Sequence, residues 1–349
     1  MIAFADAMKR LLASHELDAG LVGDAFEAIL SGAWSPVQVG AFATAVRVRG
    51  ETAEAIAAAA RALRSHMTVV EHGLPLVVDT CGTGGDGACT LNVSTAAAIV
   101  VAACNVPVAK HGNRSISSRC GSADVIEALG LPIDLSPDKQ ADLLRDVHIA
   151  FLFAPAHHPA LKHAAEARRE LGVRTIFNAL GPVANPARAT HQVIGVYDDA
   201  LRPMLARVLA DLGCERAWVV HSEDGLDELS PAAPTRVSEV RGRDVSERVV
   251  TIDEFGLPRR DLATIRGGDA AANARSIETI LMNADEEAAA AVILNAAAML
   301  WVCGVAKTAR DAAEAARAAI ASGAAMRTLE DWREVARPTM IPPSPSVRR

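Results

Sequence analysis

Aromatic side chains are scarce in this chain. They make up 3% of its 349 residues, with a single tyrosine among them. All-β folds lean on aromatic and β-branched side chains. The shortage, set beside abundant alanine, favours closely packed helices over a β-sandwich. A membrane-length apolar run is also lacking. The nearest approach, residues 288–306, owes its apolarity mainly to alanine and is interrupted by Asn295. It reads as a buried helix rather than a span. Nor is there a surplus of basic residues: 35 Lys and Arg face 42 Asp and Glu, for a formal net charge of −7. That balance weighs against nucleic acid as a partner and makes any anion site a local feature. The six cysteines have no close-paired spacing, and Met1 to Leu17 lacks the apolar centre and cleavage site of an export signal. Free thiols in a reducing, cytoplasmic setting are expected, with no membrane contact. Zinc-ligand spacing is missing too, and the adjacent His157 and His158 cannot easily face one ion.

Two patterns follow one another along the chain. Up to about Met67 the spacing is helical. Asp18 caps a short helix through Leu30, Ser35-Pro36 opens another with proline at its first position, and Thr52 caps the alanine-rich run to Met67. Nothing there suggests chemistry, and packing or a dimer surface fits better. From Leu74 the pattern changes. Short strands are expected at 76–79, 106–109, 149–153, 193–196 and 217–220, with helices at 94–104, 121–129, 159–171 and 199–212 between them. Residues 235–240 and 248–251 suggest antiparallel strands around Gly242. The chain is helical again from Asp269, and its tail from Pro338 is irregular. The expected fold is α/β: a small all-helical domain plus a larger α/β domain with a central, mostly parallel sheet.

Chemistry concentrates in four places. The first is Asp79-Thr80-Cys81-Gly82-Thr83-Gly84-Gly85-Asp86-Gly87, a glycine turn between a strand and a helix. Glycine lets backbone amides approach phosphate oxygens. Its spacing matches neither the dinucleotide fingerprint nor the P-loop. Next, Thr90 and Asn92-Val93-Ser94-Thr95 surround a helix start, as plain caps or as holders of a phosphate or metal-diphosphate. Third, Lys110 to Ser118 packs two cations, an imidazole and three serines into a loop after a buried strand. That density favours an anion site, in which Lys110 and Arg114 neutralise phosphate charge. Fourth, Asp227-Glu228 follows the strand ending at His221. Adjacent carboxylates in a loop are commonly just solvated. At a strand's carboxyl end they also suit Mg²⁺ held partly by substrate phosphates.

Together, Gly-Thr-Gly-Gly-Asp at 82–86, Asn-x-Ser-Thr at 92–95, Lys-His-Gly-Asn-Arg at 110–114, Gly-Ser-Ala-Asp at 121–124, Arg168 and Asp227-Glu228 resemble the anthranilate phosphoribosyltransferases. So do residues 151–158, 174–186 and 266–269. The resemblance runs from the helical start to about residue 325. It implies a homodimer with a helical domain of residues 1–72 joined by an insertion near 165–185. The larger domain, 73–345, would be of the nucleoside phosphorylase/phosphoribosyltransferase type, with the active site at the hinge. The implied reaction displaces pyrophosphate from phosphoribosyl pyrophosphate with the amine of anthranilate, in tryptophan biosynthesis, with two Mg²⁺ ions per site. Carried over residue by residue, the phosphoribosyl pyrophosphate contacts are Gly82, Gly85, Asp86, Thr90, Asn92, Val93, Ser94, Thr95, Lys110, His111, Gly112, Asn113, Arg114, Ser115, Ile116, Ser117, Ser118 and Ser122. The metal positions are Ser94, Asp227 and Glu228, and the anthranilate contacts are Gly82, Asn113 and Arg168. An aryl amine is nucleophilic when neutral, so no obligatory covalent residue is expected. The chain departs from the family pattern at Cys120, where a small polar residue is usual, and at Cys81 and Cys89, where Val or Ile, and Asn, are common. Two alternatives stay open: a pyrimidine nucleoside phosphorylase of the same fold, and a non-enzymatic relative that binds nucleic acid.

Overall fold

The structure, a computed structural model, describes residues 1–14, 16–115 and 120–337. The expected irregular tail from Pro338 lies outside them. Four helices open the chain: Phe4–Ala13, Ala19–Leu30, Pro36–Arg49 and Ala53–Ser65. Their starts follow the capping chemistry. Asp18 accepts from the Gly20 and Leu21 amides, Ser35 and Gln38 form a capping box, and Thr52 accepts from Ala55 N–H.

A seven-stranded sheet follows: β1 Val78–Gly82, β2 Val108–Gly112, β3 Ile149–Phe153, β4 His191–Gly195, β5 Arg216–Ser222, β6 Thr235–Arg241 and β7 Asp244–Val250. Its order is β3-β2-β1-β4-β5-β6-β7. The first five strands run parallel, and β6 and β7 add an antiparallel edge around Gly242. The expected fold class holds.

Two strands sit further along than expected. The apolar runs place the ends of β1 and β2 at Asp79 and Ala109. Both instead continue for three residues, to Gly82 and Gly112. Parallel strands covered on both faces bury whatever residues continue the ladder, polar ones included. Asp79, Thr80, Lys110 and His111 are buried accordingly. The helix expected over 159–171 starts with a 3₁₀ turn, Pro159–Leu161, and becomes α-helical at Lys162.

The sheet separates two apolar cores. On one face, helices Val93–Ala103, Ala270–Leu281, Glu286–Val302, Ala309–Ala321 and Ala324–Ala336 pack on Val78, Val108, Val193 and Trp218. On the other, Ile194, Val196 and Val219 share a core with helix Leu201–Asp211, residues 176–184 and the opening helices. The helical unit is therefore continuous with one side of the sheet. The alanine-rich run around Asn295 is a buried helix, as its composition implied. Among the described residues, no helix is long and apolar enough to cross a membrane.

Candidate active site

β1 and β4 are neighbours, but the strands that follow them in sequence lie on opposite sides: β2 beyond β1, β5 beyond β4. Open α/β sheets bind ligands in the crevice outside the carboxyl ends of such a pair. The last paired residues here are Gly82 and Gly195. Asp227 occupies the room their missing side chains leave. A Cβ on Gly82 would lie 2.6 Å from Asp227 Oδ2, and one on Gly195 would overlap the Asp227 main chain. Gly84 N–H donates to Asp227 Oδ2 at 3.1 Å, and Ser94 N–H donates to Glu228 Oε1 at 3.0 Å. Ser94 lies in the first turn of its helix, where the dipole favours a negative group.

The loop carrying both carboxylates is fastened from behind. Ser222 Oγ donates to Glu228 O at 2.7 Å and pairs with Thr235 Oγ1 at 2.6 Å. Asn295 accepts from Leu229 N–H at 3.0 Å and donates to Leu229 O at 3.0 Å and Ala291 O at 2.9 Å. The amide that interrupted the apolar run thus closes both backbone groups of the residue after Glu228. Its isolation in an alanine-rich helix was the available signal. Gly195 gave none, because its role depends on what approaches it.

Electrostatics define the site. Burial and the nearby Asp86 carboxylate push the Asp227 carboxyl up, and burial plus Asp227 itself push Glu228 up. Behind them lies Lys110, only 2% exposed, whose Nζ donates to Thr80 O at 2.8 Å and Ser94 Oγ at 3.2 Å. Burial lowers its pKa while Asp79 pulls it back up. Asp79 is itself fully buried and pushed up to about 6 by desolvation, though its Oδ1 accepts from His111 N–H at 3.0 Å.

The sequence pattern makes the stretch from Lys110 a loop. Lys110, His111 and Gly112 belong instead to β2. The ammonium therefore sits under the carboxylates, held by the sheet. Arg114 is exposed, and its guanidinium engages Asp124 at 3.0 Å and Glu127 at 2.6 Å.

The other expected residues divide. Gly82, Asp86, Ser94, Lys110, Asp227 and Glu228 converge, and Gly85 belongs to the same glycine turn. Thr90 bridges Arg266, which staples its loop to residues 265–267. Asn92 Oδ1 accepts from Asn273 at 3.0 Å. Val93 and Thr95 are buried, and their amides donate to Leu91 O and Asn92 O. Gly112 leaves room for Ser122 Oγ, which donates to Asn113 O at 3.3 Å. Ser115 N–H donates to Asp124 at 3.3 Å. Ile116, Ser117 and Ser118 lie outside the described residues. Arg168 makes no hydrogen bond to this group among the described residues. Its guanidinium lies over the Phe177 ring, 5.6 Å from the centroid. His111 Nδ1 meets Gly181 O at 3.1 Å and so ties the segment after Phe177 to the end of β2. His157 and His158 are buried, with His158 packed edge-on to His111.

This architecture is that of a glycosyl transferase family, whose helical bundle domain matches residues 5–67 and whose a/b domain matches residues 74–326. The anthranilate phosphoribosyltransferase of Thioalkalivibrio sulfidiphilus is 49% identical over 302 residues, 86% of this chain and 89% of its own. That of Methylobacterium radiotolerans is 47% identical over 94% of this chain and 95% of its own. The Thermus thermophilus enzyme superposes with a TM-score of 0.90 at 38% identity, covering 95% of this chain and 99% of its own. The Saccharomyces cerevisiae enzyme, solved with PRPP and Mg, gives 0.88 at 30% identity, with 95% and 97% covered. This chain belongs to the anthranilate phosphoribosyltransferase family.

Asn295→Ala leaves the buried Leu229 N–H and C=O unpaired, which costs about 2–4 kcal/mol and frees the carboxylate loop. Thermal unfolding should move to lower temperature, and the Mg²⁺ concentration needed for half-maximal turnover should rise.

Proposed function

We propose that this chain transfers the phosphoribosyl group of phosphoribosyl pyrophosphate to the amine of anthranilate, with the crevice at Gly82 and Gly195 as its active site. The observation that carries this is the convergence of a glycine turn, a helix N-terminus and two half-buried carboxylates at the topological switch point. The relatives' names favour anthranilate as acceptor over nucleoside phosphorolysis. The yeast enzyme, also solved with 4-fluoroanthranilate, points the same way.

The donor set fits Mg²⁺. Asp227 and Glu228 offer hard oxygens, and each is raised by burial and a neighbouring like charge, which a cation would relieve. Among the described residues no group of three or more His, Cys, Asp or Glu is arranged to hold a metal alone. Substrate phosphates complete such a shell in sites of this kind. Asp227, Glu228 and Ser94 Oγ would hold the ions, two per site. When bound, the metal neutralises charge that collects on departing pyrophosphate.

This chain's own groups supply the rest. The Gly85 and Asp86 amides of the turn face the diphosphate, while the Gly84 and Ser94 amides hold Asp227 and Glu228 beside it. Lys110 biases the carboxylates toward their ionised form from below. Arg168, over the Phe177 ring, receives the anthranilate carboxylate. The amine nitrogen bonds to the ribosyl carbon as the carbon–oxygen bond to pyrophosphate breaks, the surplus proton on nitrogen passes to water, and orientation supplies much of the rate. The helical domain comprises 1–72 with the insertion near 165–185, which the shared apolar core supports. Six free cysteines suit the cytoplasm. A homodimer forms through helices Pro36–Arg49 and Lys162–Leu171, which border an open cavity of about 600 Å³. Val37 and Val48 are 81% and 82% exposed there.

Arg168→Ala should raise the anthranilate KM about 10- to 100-fold and leave that for phosphoribosyl pyrophosphate near its starting value; steady-state kinetics on both substrates decide. Asp227→Asn with Glu228→Gln should abolish turnover and change the pH dependence of stability. The raised carboxyls favour the protonated folded state. Metal-free wild type therefore loses stability as pH rises from about 4, the ordinary carboxyl value, to about 8. The double variant carries no such charge, so its unfolding temperature should exceed wild type by a margin that grows across that window. Val48→Glu should yield monomers in light scattering while the far-ultraviolet spectrum stays helical.

A further inference from the structure

Arg174 has been given no role above. It follows the helix Lys162–Leu171 that carries Arg168, and its guanidinium lies flat on Tyr197, 3.4 Å from the ring centroid. Tyr197 is the only tyrosine of the chain and stands just past the end of β4. From that seat Arg174 Nη2 donates to Gly85 O at 3.2 Å. Gly85 adopts φ +81°, and a Cβ there would run into the Arg174 guanidinium. The same turn is tied to the β4 end twice more. Thr83 N–H donates to Gly195 O at 2.9 Å, and Tyr197 N–H donates to Thr83 Oγ1 at 3.1 Å.

We propose that Arg174 is a positioning residue that, clamped on Tyr197, fixes the glycine turn so that its Gly85 and Asp86 amides face the diphosphate of phosphoribosyl pyrophosphate. This deepens the reading above and rests on it. Gly84, Gly85 and Gly87 all have positive φ, at +65°, +81° and +74°. Glycine reaches many other conformations at little cost, so such a turn needs outside anchors to present one amide pattern. It has one on each side of Gly84–Gly85: Asp227 accepts the Gly84 N–H, and Arg174 donates to the Gly85 carbonyl. With its carbonyl held by a cation, the turn keeps that oxygen away from an incoming phosphate. A planar guanidinium suits this task because it stacks and donates at once, which an ammonium cannot do. Arg174 also shares a short segment with Arg168 and Phe177, so the anthranilate clamp and the diphosphate turn are fastened to one piece of chain.

The test uses the whole chain and five variants: Arg174→Gln, Arg174→Lys, Tyr197→Leu, Tyr197→Phe and the double variant Arg174→Gln with Tyr197→Leu. Steady-state constants for both substrates, unfolding temperatures and direct titration with Mg²⁺ and phosphoribosyl pyrophosphate are measured for each. Arg174→Gln and Tyr197→Leu should each weaken phosphoribosyl pyrophosphate about tenfold, with the anthranilate KM and unfolding temperature near wild type. Arg174→Lys should resemble Arg174→Gln, while Tyr197→Phe, which keeps the ring, should behave as wild type. The double variant Arg174→Gln with Tyr197→Leu should be no worse than either alone. A defect in Arg174→Gln with none in Tyr197→Leu would overturn the clamp in favour of direct phosphate contact. Wild-type constants in both, or equal loss for both substrates with a lowered unfolding temperature, would also overturn it. Should Arg174→Gln fail to fold, Tyr197→Leu against Tyr197→Phe makes the same comparison. Absence of turnover in the wild-type enzyme would instead count against the underlying reaction, whatever the variants bind.

Discussion

The closing pair of β1 and β4, Gly82 opposite Gly195, is the constraint on which the site depends. Two neighbouring parallel strands end without a side chain at the point where the strand order reverses. The gap admits backbone from the loop that follows β5, and Asp227 enters it. A side chain at either position would push the loop outward and separate the carboxylates from the glycine turn and the Ser94 helix start. The convergence of distant sequence segments therefore follows from two missing Cβ atoms and a parallel register that aligns them.

Around that gap the support is layered. The sheet holds Lys110 and Asp79, the helix Glu286–Val302 holds Leu229 through Asn295, and β6 contributes Thr235 to the Ser222 pair. Each support comes from an element that is itself deep in a core. Rigid placement is what a site built on orientation and fixed dipoles needs, because reorganisation during reaction would consume the advantage. The glycine turn is the exception. It has no core of its own and borrows its shape from its neighbours.

Much of this was legible in the chain. Local chemistry announces itself: caps at Asp18, Ser35 and Thr52, a glycine turn after a strand, adjacent carboxylates after another. Strand ends were less legible, because apolar runs mark where side chains are greasy and the ladder continues through Thr80 and Lys110 regardless. Lys110 is chemically conspicuous, yet its sequence context suggests a loop cation when it is a buried strand residue. The roles of Gly195, Ser222 and Arg174, and the partner of the conspicuous Asn295, were hidden for a different reason. Their significance lies in partners between 6 and 89 positions away, and a single sequence carries no sign of such approaches.

The charge arrangement explains why Lys110 stops short of an ion pair. Its ammonium meets a carbonyl and a hydroxyl, at Thr80 and Ser94. A direct pair with Glu228 would satisfy both charges and leave little attraction for anything else. Held one hydrogen bond away, the cation still lowers the cost of ionising Glu228, yet the carboxylate oxygens keep lone pairs unspent. Asp227 and Glu228 then repel each other and are half-desolvated, so the two charges are costly to hold side by side. A divalent cation bound to a diphosphate relieves that repulsion more completely than water or a proton can, since it offers two charges and brings further oxygens with it. On the proposed reading, selectivity for a metal-bound anionic substrate over a bare one would rest on leaving the carboxylates close together and incompletely paired.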